Sequence, residues 1–293
     1  MKKATQLLIM LLVAGIASGQ QQYKSLLWKI TGNGLQEPSY LFGTMHTTDA
    51  RIVNLGNKIA KKYFDQAPTY AMEIDPGKGL DNIGLLTKLM MGGKYSLAKM
   101  MPASEYSFLD SMVSANTGFS LAMFDNVAPV FIMSVFEMKT LGLTDTVVEG
   151  SSDVLDVYFY NKAKDAGKKI IGIETVEEQL DALNSLTYQE QADLLVQEID
   201  SFRVNNEAGK DVLKYYLTQD LDSLNASDDD INKPEKFYKA LVTDRNVRMA
   251  TRIMGFIKKQ QTFIAIGALH LPGKDGVIEL LRKKGFTVEP VSD

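Results

Sequence analysis

The chain has 293 residues but no cysteine, two histidines and one tryptophan. Without cysteine there can be no disulfide, no Cys-ligated zinc, no thiol nucleophile and no lipid attached to a cysteine. Beyond the first twenty residues no apolar run approaches the roughly 20 residues that a membrane-spanning helix needs. A dominant charge is missing too. The 32 Lys and Arg nearly balance the 36 Asp and Glu, for a net charge of -4, which removes the basic footprint expected of a nucleic-acid binder. The one block of like charge, Asp228-Asp-Asp230, reads as a loop. There is no Gly-x-Ser-x-Gly elbow, no His-Glu-x-x-His, and no Gly-x-Gly-x-x-Gly or Walker loop. A Ser-His-Asp hydrolase of the elbow type, the usual zinc-protease helix and a nucleotide site therefore all lack their signatures.

What is present begins with an export signal. Lys2 and Lys3 precede an apolar stretch at 7–17 that is too short to span a bilayer, and Ala17-Ser-Gly19 supplies small residues for a signal peptidase. We expect residues 1–19 to be a signal peptide, cleaved after Gly19. Residues 20–293 would form a single domain without a transmembrane anchor, in the periplasm or outside the cell. The 45% hydrophobic content suits one large core.

The two histidines share one setting. Tyr40-Leu-Phe-Gly-Thr-Met-His46 and Thr262-Phe-Ile-Ala-Ile-Gly-Ala-Leu-His270 are each an apolar run, a Gly, two residues and a His. Imidazole is a common ligand of transition metals, and a strand ending in a tight Gly turn holds a side chain rigidly. The bland alternative is a hydrogen-bonded histidine at each strand end. Duplication of so scarce a residue favours a site in which His46 and His270 meet around a divalent metal, Mn²⁺, Co²⁺ or Zn²⁺.

Around these runs the pattern reads β-β-α-β, then a Met-rich helical insertion at 80–143, then α-β, more helices and β-α-β. In the insertion we expect helices at 80–91, 102–115 and 121–141, the last kinked at Pro129. Its methionines recur at helical intervals, so they read as core filling more readily than as a cofactor groove. Thr175-x-x-Glu178 and Thr187-x-x-Glu190 are capping boxes. The strand–helix–strand order near residues 39–75 suggests a parallel pairing with a right-handed crossover. The fold class is mixed α/β: a central mixed sheet flanked by helices and carrying a largely helical insertion.

Four side chains stand at or near the ends of core strands: His46, Glu73, Glu174 and His270. In open α/β sheets ligands collect beyond the carboxyl ends of the strands. Glu73 interrupts an apolar strand, where its charge is costly unless a metal or an Arg pairs with it. Glu174 also reads as an anion at a helix N-terminus. On the helix after Pro234, Arg245 falls within the apolar stripe of Tyr238, Val242, Met249 and Ile253, so it needs carboxylates or a substrate oxygen. Arg252 shares that face. Asn246 at its edge is placed to orient a ligand. Two His with carboxylates and an open position is a hydrolytic metal arrangement. His46, His270 and Glu73 are the expected ligands, and Glu73 or Glu174 the base. Arg245 would steady the oxyanion, with Asn246 and Arg252 on the substrate.

The motifs as a set, including Ala71-Met-Glu-Ile-Asp75, Gly172-Ile-Glu-Thr with Glu178-Gln179, Asp244-Arg-Asn246 and Ile266-Gly-Ala-Leu-His270-Leu-Pro-Gly-Lys-Asp-Gly, resemble the TraB/GumN family. That family is similar to the Tiki metallopeptidases and more distantly to erythromycin esterases and a haem-binding lipoprotein. The resemblance implies that the two Gly-x-x-His histidines and Glu73 form the catalytic constellation, with Glu174 and Arg245 as helpers, acting on a peptide or small molecule. Two other classes fit the same histidines: a non-catalytic binder of metal, haem or peptide, and a metal-independent esterase-like hydrolase in which His and Glu act directly as acid and base.

Overall fold

In a computed structural model the described residues are 22–47, 49–78, 88–141, 154–204, 208–229 and 233–291. The expected signal peptide and most of the expected helix at 80–91 lie outside them. Six strands form one sheet: β1 (Leu27–Gly32), β2 (Ser39–Thr44), β3 (Thr69–Met72), β4 (Lys169–Gly172), β5 (Thr262–Gly267) and β6 (Phe286–Pro290). Their spatial order is β4-β3-β5-β2-β1-β6. β2, β3, β4 and β5 are mutually parallel, while β1 runs antiparallel to both β2 and β6. The mixed sheet flanked by helices is therefore as the sequence implied. The pairing of β2 with β3 is not, because β5 enters between them. Strand order is a long-range property, and a strand-helix-strand motif does not reveal a later strand that inserts into it.

Burial explains the strand sequences. β2 is buried at all six positions and β5 at five of six, since helices cover both faces of the middle of the sheet. β6, at the edge, alternates buried and exposed like a strand with one solvated face. The β1–β2 turn passes through Gly32, Asn33 and Gly34, all at positive φ, as the Gly-Asn-Gly run requires.

The longer helices are α1 (Ala50–Gln66), α2 (Ala103–Thr117), α3 (Pro129–Leu141), α4 (Leu155–Asp165), α5 (Val176–Leu183), α6 (Tyr188–Val204), α7 (Ala208–Leu217), α8 (Leu221–Asp229), α9 (Asp244–Ile257) and α10 (Val277–Lys283). Asp49 caps α1 by accepting from the Arg51 amide at 2.8 Å, and both halves of the Thr175–Glu178 capping box are made at α5. α8 extends through Asp229, so two of the three aspartates read as a loop are helical. Pro129 starts α3 instead of kinking it, after a separate short turn at Leu121–Phe124. That is the helix position where the missing N–H costs nothing.

Two apolar clusters follow. One is built on the sheet, with Phe42, Phe64, Tyr70, Phe159 and Phe263 as an aromatic centre. The other lies between the helices at 97–136 and α6; Met91, Met101 and Met133 are buried in it as core. No helix among the described residues is long and apolar enough to cross a membrane.

Candidate functional site

The site grows from the sheet's register. Thr44 at the end of β2 stands opposite Gly267 at the end of β5, so the two Gly-x-x-His turns leave the sheet side by side. β3 and β4 end beside them, and there the Glu174 amide donates to the Glu73 carbonyl at 2.8 Å. The glycines are needed for close approach. A Cβ on Gly43 would lie 3.1 Å from the Ala268 Cα, and one on Gly267 would lie 3.3 Å from Glu73 Oε1.

Glu73 is held from several sides. Oε1 accepts the Gly267 amide at 2.7 Å and lies 3.9 Å from Nε2 of His270. Oε2 accepts from Arg245 Nη2 at 2.7 Å and from Gln179 Nε2 at 2.9 Å. Burial pushes this carboxyl upward, yet Arg245, His270, His46 and the Gly267 amide outweigh it and draw the pKa down to about 2. Glu174, with its side chain wholly buried, accepts from Arg245 Nε at 2.9 Å and lies 3.5 Å from Arg248 Nη2.

Arg245 thus spans both carboxylates and gives Nη1 to the Leu241 carbonyl at 3.2 Å. Burial acts against its charge, and Glu73 and Glu174 more than restore it, so its pKa rises. The inward turn that helical spacing assigned to Arg245 is found. Its internal ion-pair alternative is realised as well. Lys239–Thr243 forms a wide, π-type turn just before α9, and such turns recur at functional sites. Past that turn α9 buries Arg245, Asn246, Met249, Ala250 and Ile253, while Tyr238 and Val242 face a cavity of about 590 Å³ bordered also by Asn246, Leu269 and Pro272.

Asn246 gives Nδ2 to the Asp275 carbonyl at 2.9 Å, and its Oδ1 lies 2.7 Å from His270 Nδ1. A carbonyl can only accept, so the amide orientation is settled and His270 carries its proton on Nδ1. Nε2 then faces Glu73. Arg252 is placed elsewhere: it forms a bidentate pair with Glu178 at 2.6 and 2.7 Å and donates to the Ile173 carbonyl.

His46 is built differently. Its Nδ1 lies 3.2 Å from Asp156 Oδ2, and its side chain is 55% exposed. The negative charge of Asp156 raises its pKa to about 9. Asp156 was not singled out in the sequence, although α4 buries Leu155, Asp156, Phe159 and Ala163 in one helical stripe. The stripe test that exposed Arg245 would have found it. Gln179, which bridges Glu73 and Glu174, had no such signal.

Among the described residues no three His, Asp or Glu side chains are gathered closely enough to hold a metal ion. By donor type the set fits one: two imidazoles whose Nδ1 atoms face side-chain oxygens, each with Nε2 on the other edge, and the Glu73 carboxylate 3.9 Å from Nε2 of His270.

Comparison with known proteins adds to this. The profile of the TraB/PrgY/gumN family matches residues 26–290. The chain is similar to Metalloprotease TIKI2 of Xenopus tropicalis, 25% identical over 94% of this chain and 61% of that protein. It is similar to Metalloprotease TIKI2 of Danio rerio, 25% identical over 92% of this chain and 61% of that one. Metalloprotease TIKI1 of Homo sapiens is 24% identical, over 92% and 62% respectively. The chain spans about three fifths of the length of these relatives. No solved structure gives a significant match.

Proposed function

The chain belongs to the TraB/PrgY/gumN family, and from that premise we propose that it is an exported metal-dependent hydrolase, a peptidase acting on small or extended peptides. The observation that carries the reading is the β2–β5 register, which sets the two Gly-x-x-His turns side by side at the strand ends, with Glu73 Oε1 3.9 Å from Nε2 of His270. His46 and His270 are assigned as ligands through Nε2, and because His46 otherwise holds its proton up to about pH 9, an ion bound there would have to displace it. A divalent ion bound there would supply Lewis-acid polarisation and a more acidic water.

The chain's own residues divide the remaining work. A carboxylate drawn down to about 2 is a poor proton acceptor at neutral pH, so Glu73 is assigned to ligation and charge balance instead of base catalysis. Arg245 helps keep Glu73 ionised and holds both Glu73 and Glu174 in place. Its hydrogen bonds to Glu174, Leu241 and Glu73 use three of its five N–H groups, so a second Nη1 proton is left to offer an oxyanion. Asn246 fixes the His270 ring. The helices at 97–141 and the 590 Å³ cavity beside Asn246 would shape what enters.

Metal-independent hydrolysis, with His46 moving the proton, is the second reading, favoured by the His46–Asp156 pair. A panel of fluorogenic peptides separates the two. Activity lost to a chelator and restored by Mn²⁺, Co²⁺ or Zn²⁺ supports the first, and chelator-resistant turnover supports the second. Metal analysis of the wild type beside His46→Ala and His270→Ala tests the ligands. Equal metal content in all three removes the assignment.

A further inference from the structure

Asp156 is a buried carboxylate that the mechanism above does not use. It sits on the apolar stripe of α4, between Leu155 and Phe159, where an ionised group is costly unless partnered. Oδ1 accepts from the Thr44 hydroxyl at 2.8 Å, itself buried. No Lys or Arg among the described residues forms an ion pair with it, and Oδ2 takes no well-aligned hydrogen bond. Its charge reaches the buried Tyr70 phenol, but that hydroxyl makes no hydrogen bond. The polar group that Oδ2 does approach is Nδ1 of His46, at 3.2 Å.

The same chain carries a parallel arrangement. His270 also has its Nδ1 taken by a side chain from a helix, and there the acceptor is Asn246. Each strand-end histidine thus has its Nδ1 facing a side chain from a packed helix, a carboxamide hydrogen-bonded at 2.7 Å for His270 and a carboxylate 3.2 Å away for His46. Gripping one ring nitrogen fixes both the ring plane and the tautomer, so that the opposite nitrogen is presented in a set direction.

We propose that Asp156 is the positioning residue of His46: it accepts Nδ1–H, is itself aimed by Thr44, and so presents Nε2 to the side on which Glu73 lies. This rests on reading His46 as a working residue of the hydrolytic site. The orientation of the ring can nevertheless be measured without any turnover.

With only two histidines in the chain, long-range ¹H–¹⁵N spectra of the metal-free full-length protein, recorded where the rings are neutral, resolve each ring by itself. The wild type is expected to show both rings protonated at Nδ1. Asp156→Asn should keep that pattern, because an amide oxygen can accept from His46 while its NH₂ donates to the Thr44 hydroxyl, which serves as donor or acceptor. Asp156→Ala should move His46 to a mixture of tautomers and leave the His270 signals unchanged, the latter showing that the fold is intact. Zn²⁺ affinity by calorimetry should fall about 10–100-fold in Asp156→Ala, the usual cost of losing an anchor behind a ligand, and less in Asp156→Asn. Thr44→Val, a milder change, should shift the His46 pattern in the same direction. An Asp156→Ala protein with the wild-type His46 pattern overturns the proposal. A tautomer shift in a chain whose wild type binds no Zn²⁺ upholds the positioning role and sinks the metal reading instead.

Discussion

The two Gly-x-x-His turns share a local sequence and adjacent strands, yet their histidines live in different surroundings. His270 is 8% exposed, with Asn246 behind it and the Arg245–Glu73–Glu174 cluster beside it. The His46 side chain is 55% exposed, and its ionic partner among the described residues is one carboxylate from α4. One turn is built into the core and the other faces solvent. A repeated motif therefore sets where a side chain leaves the sheet, while the helices behind it set how firmly it is held. On the proposed hydrolytic reading, this division would suit a fixed ligand paired with a more accessible one.

The sharpest way to break the contrast is Arg245→Ala. It leaves two buried carboxylates facing each other, and stability should fall by about 3–5 kcal/mol, read by denaturant unfolding. An unchanged midpoint would mean that Arg245 does not hold the two carboxylates as described. Next is Asn246→Leu, which strips the His270 ring and the Asp275 carbonyl of their partner and should cost about 1–3 kcal/mol. Metal affinity should fall with it.

The two motif glycines give a finer comparison. Gly43→Ala places its Cβ 3.1 Å from the Ala268 backbone, which cannot retreat, so about 1–3 kcal/mol of overpacking is expected. In Gly267→Ala the new methyl meets the Glu73 carboxylate and the His270 ring, at 3.3 and 3.5 Å. Those ends can move by a few tenths of an ångström, so the stability loss should be the smaller of the two and the activity loss the larger.

The last comparison is in pH dependence, and its sign differs between the two groups. Asp156 raises His46 from 6.5 to about 9, so their pairing stabilises the fold fully below about pH 6.5 and is lost as pH rises through about 9. Glu73, lowered from 4.5 to about 2, stabilises fully above about pH 4.5, and that contribution is lost as pH falls through about 2. Unfolding curves across pH should show both limbs in the wild type. His46→Gln should lose the alkaline limb and keep the acid one.

Much of this was legible in the residues because much of it is local. The apolar runs of β2 and β5, the Thr175–Glu178 box and the inward placement of Arg245 all follow from spacing within one element. What escaped is tertiary. Asp156 meets Thr44 across 112 positions, and nothing near either residue signals the contact except burial on α4. Arg252 lies two turns beyond Arg245 on nearly the same face, and at that depth the neighbour is Glu178 and not the strand ends. Asn246 was read as a group that would orient a ligand; what it orients in the structure is His270.

The position of β5 also governs how the molecule can come together during synthesis. β2 and β3 leave the ribosome early, but the strand that joins them begins 190 residues after the end of β3 and further still after β2, as the Ser39–Thr262 contact across 223 positions shows. Until it arrives, both face an empty lane with unpaired amides and carbonyls, the kind of edge that recruits other chains. Such distant partners make folding slow, and shortened translation products ending before Thr262 should aggregate instead of forming a partial sheet.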